Sequence, residues 1–185
     1  SLTKGSAQQG DVLILTKALC TGILLAAAMR GEDDMNGFTA AIQSMDQSNE
    51  GALSILLQHG VRALTDVTGF GLLGHLGKMV LTSGVDAVID VGGIAFLPGA
   101  KQYAEDGVIP GGTRRNLAWV ENQIDAGSYG ETDLLLLADA QTSGGLIFGV
   151  DKAKSGEACT ELNEQGVGAM IVGETCTGTG TIRLR

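Results

Sequence analysis

The segment Thr65-Asp66-Val67-Thr68-Gly69-Phe70-Gly71 sets one carboxylate and two hydroxyls immediately ahead of Gly69, Gly71 and Gly74. These are hard oxygen donors. Magnesium takes one or two carboxylates together with phosphate oxygens of a substrate, and an acid at a strand end aimed at a glycine-rich turn supplies one such ligand. The same glycines spell the Gly-x-Gly-x-x-Gly spacing of a dinucleotide-binding turn, and Asp90 follows about twenty residues on. Three points weigh against a dinucleotide. Thr65, Asp66 and Thr68 occupy positions that such a strand keeps apolar up to its first glycine. A carboxylate beside a pyrophosphate costs about 4 kcal/mol at roughly 4 Å and an effective dielectric of about 20, unless a divalent cation lies between them. No further alternating strand–helix units follow to build the rest of that fold. A plainer reading also stands: Asp66 or Thr68 caps the next helix, and Gly69 and Gly71 allow close strand–helix packing.

Other reactive residue types have strong structural alternatives. Cys20 has Lys17 as its one nearby basic residue in sequence, and packing is the favoured role for a thiol at the start of an apolar helix. The run Asp139-Ala140-Gln141-Thr142-Ser143-Gly144-Gly145 offers hydroxyls and backbone N–H groups for an anion, but equally makes a turn that needs glycine. Arg114 and Arg115 read as solvent-exposed, and the acids at 32–34 as a solvated break. His75 and Lys78 fall off the apolar stripe of their helix, so His75 is expected in solvent.

These residues must be positioned by the rest of a 185-residue chain, enough for one domain with a real core. With 44% hydrophobic and 18% charged residues the composition is globular. The net charge of -9 provides no basic footprint for nucleic acid or anionic lipid. Cys20, Cys159 and Cys176 stand far apart in an odd count, against a disulfide framework or structural zinc and in keeping with a reducing cytoplasm. Apolar runs such as 134–138 are too short to span a membrane. The opening Ser-Leu-Thr-Lys lacks methionine, so an excised piece of a longer protein is expected.

The pattern predicts a strand at 11–16 and a buried helix at 18–30, then helices at 35–47 and 49–59, the second opened by Ser48 and Asn49. A strand at 62–66, the glycine turn and a helix to about 82 follow. Phe70, Leu72, Leu73, Leu76, Met79 and Val80 form that helix's core stripe. Strands are expected at 85–91, 132–139, 145–150, 169–174 and 181–185. Residues 98–130 read as helical in places and 151–166 as an amphipathic helix. The fold class is α+β: one mixed sheet with helices packed on it in α/β/α layers.

Thr-Asp-Val-Thr-Gly-Phe-Gly-Leu-Leu-Gly-His-Leu (65–76) resembles the signature of the C-terminal domain of the selenophosphate synthetase (selenide, water dikinase) family. DVLILTKALCTG (11–22), QSNEGA (47–52), PGGTRRN (110–116) and ADAQTSGGL (138–146) are similar to further family segments in the same order. The domain type is shared with aminoimidazole ribonucleotide synthetase. The chain departs from the family at Cys20, where glycine is usual, and at Ala18 and Ala140, where proline is usual.

The resemblance implies residues 11–185 as a single C-terminal domain and 1–10 as the linker remnant of an N-terminal domain. It implies a parent that makes selenophosphate from selenide, ATP and water, with release of AMP and phosphate. It implies Asp66 as the magnesium ligand, with Thr65, Thr68 and Gly69 as neighbours of the cation or the phosphates. ATP is held mainly by the missing N-terminal half, which also carries the reactive residue, so no catalytic residue is expected here. The fragment is then inactive alone, a monomer cut from a cytoplasmic homodimer. Two alternatives stay open: another ATP-dependent synthetase or kinase of the superfamily, and a non-catalytic binding module.

Overall fold

The computed structural model describes residues 7–32 and 35–185. Of the expected linker at 1–10, residues 1–6 lie outside the described part, as do 33–34 of the acidic break. Ala7 is buried, and its N–H donates to Ser83 Oγ at 3.2 Å.

Among the described residues seven strands form one mixed sheet: β1 (Val12–Leu15), β2 (Ala63–Asp66), β3 (Val85–Ile89), β4 (Ile124–Asp125), β5 (Leu146–Val150), β6 (Met170–Thr177) and β7 (Ile182–Leu184). Their spatial order is β2-β5-β1-β6-β3-β7-β4. β5 pairs antiparallel with β2 and β1, and β6 antiparallel with β1 and β3. β7 runs parallel to both β3 and β4.

Both faces are covered, which explains the unbroken apolar run of β1. Side chains alternate across a strand. Val12 and Ile14 therefore join Phe148 and Val150 under helices α3 (Glu50–Gln58) and α8 (Lys152–Glu164), which contribute Ile55, Leu56 and Leu162. Leu13 and Leu15 join Ile147, Ala87 and Ile89 on the other face. That face is covered by α1 (Thr21–Met29), α4 (Gly71–Ser83), α5 (Ala100–Glu105), α6 (Gly111–Val120) and α7 (Glu131–Ala138), while α2 (Asn36–Asp46) packs on α1. The α/β/α layering follows from strands that are apolar on both sides.

One element differs in kind. Residues 132–139, expected as a strand, are the helix α7. Gly130 enters in an extended conformation, its N–H donates to Asp133 Oδ2 at 3.2 Å, and Glu131 and Asp133 stand in the first turn. Acids there complement the helix dipole. Leu135, Leu136 and Leu137 are all buried, so the helix is apolar nearly all round and its leucine run hides any helical period.

Candidate functional site: an acid and two hydroxyls at a sheet edge

Among the described residues β2 is an edge strand, hydrogen-bonded to β5 alone, and Asp66 is its last residue, opposite Leu146. The Asp66 side chain is exposed and has no ion-pair or hydrogen-bond partner among the described residues. With Leu64, Thr65, Thr68 and His75 it lines an open depression of about 320 Å³. Thr65 Oγ1 donates to the Asp66 carbonyl at 3.1 Å, so this hydroxyl is engaged with the backbone. Thr68 Oγ1 lies 3.2 Å from His75 Nε2. Gly69 is exposed, and its carbonyl accepts from Asn116 Nδ2 at 2.8 Å.

The glycines are explained by packing. Gly71 has φ +71°, and a Cβ there would stand 2.4 Å from the Ala138 carbonyl oxygen. A Cβ on Gly74 would meet Phe70 Cβ at 2.7 Å. Among the described residues the dinucleotide geometry is absent: β2 has no parallel neighbour, and β3 lies four places away across the sheet. Asp90 pairs with Arg185.

His75 corrects an expectation. It is buried, because the N-terminus of α4 folds under the loop and the imidazole fills the space between Thr68 and the Phe70 ring, whose centroid lies 5.6 Å from its own. Lys78 remains exposed.

The Asp139–Gly145 segment holds helices together. Gln141 Oε1 accepts from the N–H of Cys20 at 3.1 Å and of Thr21 at 3.3 Å, while Asp139 Oδ2 accepts from the N–H of Ile23 at 2.9 Å. These are the free donors at the start of α1, whose own N-cap residue supplies no side-chain acceptor. Thr113 of α6 donates to Asp139 Oδ1 at 2.6 Å. Burial pushes the Asp139 carboxyl up to about 6, against the pull of Thr113 and the surrounding N–H groups. Gly144 and Gly145 let the segment pass backbone against backbone, since a Cβ would come within 1.8 Å of Val67 O and 2.0 Å of Thr16 O respectively.

Cys20 lies in the core. Burial, reinforced by the nearby Asp139 charge, raises its thiol pKa well above the ordinary value, and Sγ donates to Leu136 O at 3.3 Å. A nucleophile requires the opposite shift. Arg114 faces Glu131 at 3.7 Å in solvent.

The donor set at Asp66 suits a hard divalent cation: an unpartnered carboxylate with a neighbouring hydroxyl. It cannot enclose one, since no three His, Cys, Asp or Glu side chains gather as a cage among the described residues. A cation held there would take its remaining ligands from outside this domain.

An α/β/α domain with an acid at the edge of its mixed sheet is the arrangement to be placed. Residues 8–184 match the family described as AIR synthase related protein, C-terminal domain, and the chain belongs to that family. Selenide, water dikinase of Carboxydothermus hydrogenoformans is 39% identical over 174 residues, covering 94% of this chain and 50% of the relative. The protein of the same name from Myxococcus xanthus is 39% identical over 180 residues, covering 96% and 51%. The chain thus spans about half the length of the curated relatives it matches. Among solved structures, hydrogenase maturation protein HypE in complex with ATP superposes with a TM-score of 0.69 at 15% identity, over 99% of this chain and 49% of that one. At that identity the likeness shows the fold. Among the described residues no helix is long and apolar enough to cross a membrane.

Proposed function

We propose that this chain is the C-terminal domain of a selenophosphate synthetase, working in a parent that converts selenide, ATP and water to selenophosphate, AMP and phosphate. The observation that carries the reading is the unpartnered Asp66 carboxylate on the exposed edge of a domain 39% identical to half of a selenide, water dikinase. Asp66 would hold Mg²⁺ together with nucleotide phosphates gripped by the parent's N-terminal domain, with Thr68 beside it. When bound, the cation neutralises charge on the transferring phosphoryl group. The chain's own contribution is to fix one carboxylate at the open rim of a rigid sheet. Glycines that clear the path of the loop support this role, as do Asn116 and Gln141, which pin it.

The isolated domain is inactive on this reading, since it supplies no nucleophile and one acid. The parent is a cytoplasmic homodimer, and the domain alone is monomeric. The test is turnover with selenide and Mg-ATP. The 185-residue chain gives no selenophosphate. The full-length parent does, and Asp66→Asn lowers its kcat by two orders of magnitude or about that. Undiminished turnover in the variant would remove the proposed role. Mg-ATP affinity in the isolated chain that vanishes with Asp66→Ala would favour a free-standing binding module.

A further inference from the structure

Two groups of the loop converge on one atom. Thr68 Oγ1 lies 3.2 Å from His75 Nε2, and the backbone N–H of Phe70 donates to the same nitrogen at 3.4 Å. A backbone amide is only a donor, so Nε2 has to accept, and in a neutral imidazole the proton then resides on Nδ1. Facing an unprotonated nitrogen, the Thr68 hydroxyl bonds as a donor. Its lone pairs are left for whatever enters the depression.

The surroundings fix this arrangement. The Thr68 carbonyl accepts from the N–H of Gly71 at 2.9 Å and of Gln141 at 3.1 Å, so the residue is held through its backbone as well. His75 is only 8% exposed and its ring lies against Phe70. Gly74 provides the space in which Phe70 sits. Thr68, His75 and Asp66 border the same depression.

We infer that His75 is a positioning residue that holds the Thr68 hydroxyl as an acceptor, giving the Asp66 depression a second oxygen for a divalent cation and its water shell. This deepens the reading of Asp66 as a cation ligand and rests on it. Thr68 is thereby assigned to the cation and not to a phosphate. A phosphate needs donors, and an Nε2-protonated imidazole would have freed the hydroxyl proton to serve as one.

Nitrogen-15 NMR of the 185-residue chain reads the imidazole directly. The expected result is a proton on Nδ1 and none on Nε2; a proton on Nε2 overturns the inference. Manganese(II), a paramagnetic stand-in for magnesium, then reads the site without any turnover. Broadening of the Asp66 and Thr68 amide signals should disappear in Asp66→Asn. It should require about tenfold more metal in His75→Phe, which keeps an aromatic ring but no acceptor, and in Thr68→Val. His75→Gln, which carries an acceptor oxygen to the same region, should stay within about twofold of the parent chain. If Asp66→Asn broadens like the unsubstituted chain, or if the full-length parent with ATP also shows no broadening at Asp66, the cation reading itself fails. If Asp66→Asn abolishes the effect while His75→Phe and Thr68→Val titrate like the parent chain, the cation reading survives and the role of His75 does not.

Discussion

Gly71 and Ala138 meet backbone to backbone: a Cβ on Gly71 would stand 2.4 Å from the Ala138 carbonyl oxygen and 2.9 Å from that of Asp139. The loop behind Asp66 and the end of α7 are therefore one packed unit, clamped further by Asn116, whose Nδ2 donates to both Gly69 O and Ala138 O. Gly71→Ala adds a methyl group there at φ +71°. The strained backbone and the overlap together should lower stability by about 2–4 kcal/mol. Urea denaturation with an unchanged m-value checks this.

Asp139 gives the domain a pH signature of unusual sign. Burial raises its folded-state carboxyl from the ordinary Asp value of 3.8 to about 6. The folded protein then holds this proton more tightly than the unfolded chain, so the group's favourable contribution is complete below pH 3.8 and is lost as pH rises through 6. The difference amounts to about 3 kcal/mol across that window. The stability of the parent chain minus that of Asp139→Asn should fall by about this amount between roughly pH 4 and 7. Chemical denaturation of both proteins at several pH values measures it, and a flat difference would contradict the assignment.

Lys17 is buried, and its Nζ donates to the carbonyls of Ser44 at 2.8 Å, Gln47 at 2.7 Å and Ser143 at 2.8 Å. Burial lowers its pKa, and three oxygens hold the ammonium in place. Lys17→Met leaves those carbonyls without their donor and should cost about 2–3 kcal/mol. Thermal unfolding detects it, and amide exchange should quicken first at the end of α2.

Cys20 should resist alkylation in the native state at neutral pH, while Cys159 and Cys176, both partly exposed, react sooner. Timed labelling with iodoacetamide followed by mass spectrometry gives the order. Labelling of Cys20 first would reopen the case for a reactive thiol.

Wherever a segment's own pattern determines its structure, the sequence was sufficient. The unbroken apolar run of β1 and the α4 stripe from Leu72 to Val80 carried their structures openly, and Asp66 was marked by a polar interruption at a strand end. Phe70, expected in that stripe, instead precedes the helix and is 64% exposed, because the turn at Gly71 carries it off the core face. The leucines of α7 misled because a short run apolar on every side has no readable period, although Glu131 and Asp133 were a legible helix-start signal. His75 was misplaced for a different reason. Its burial comes from a loop folding back over the helix, so its position off the apolar stripe reports nothing about exposure. Asp139 and Gln141 were likewise beyond local reading, because the helix they cap lies more than a hundred residues earlier in the chain.

That separation orders events during folding. A nascent chain that has produced residues 21–29 has no protein side-chain acceptor for the N–H groups of Cys20, Thr21 and Ile23 until residues 139–141 emerge, 116 residues later in the case of Ile23 and Asp139. Any chain truncated before Asp139 thus leaves these α1 donors to water instead of a protein acceptor, so the buried start of α1 is a long-range feature that only the nearly complete domain can hold.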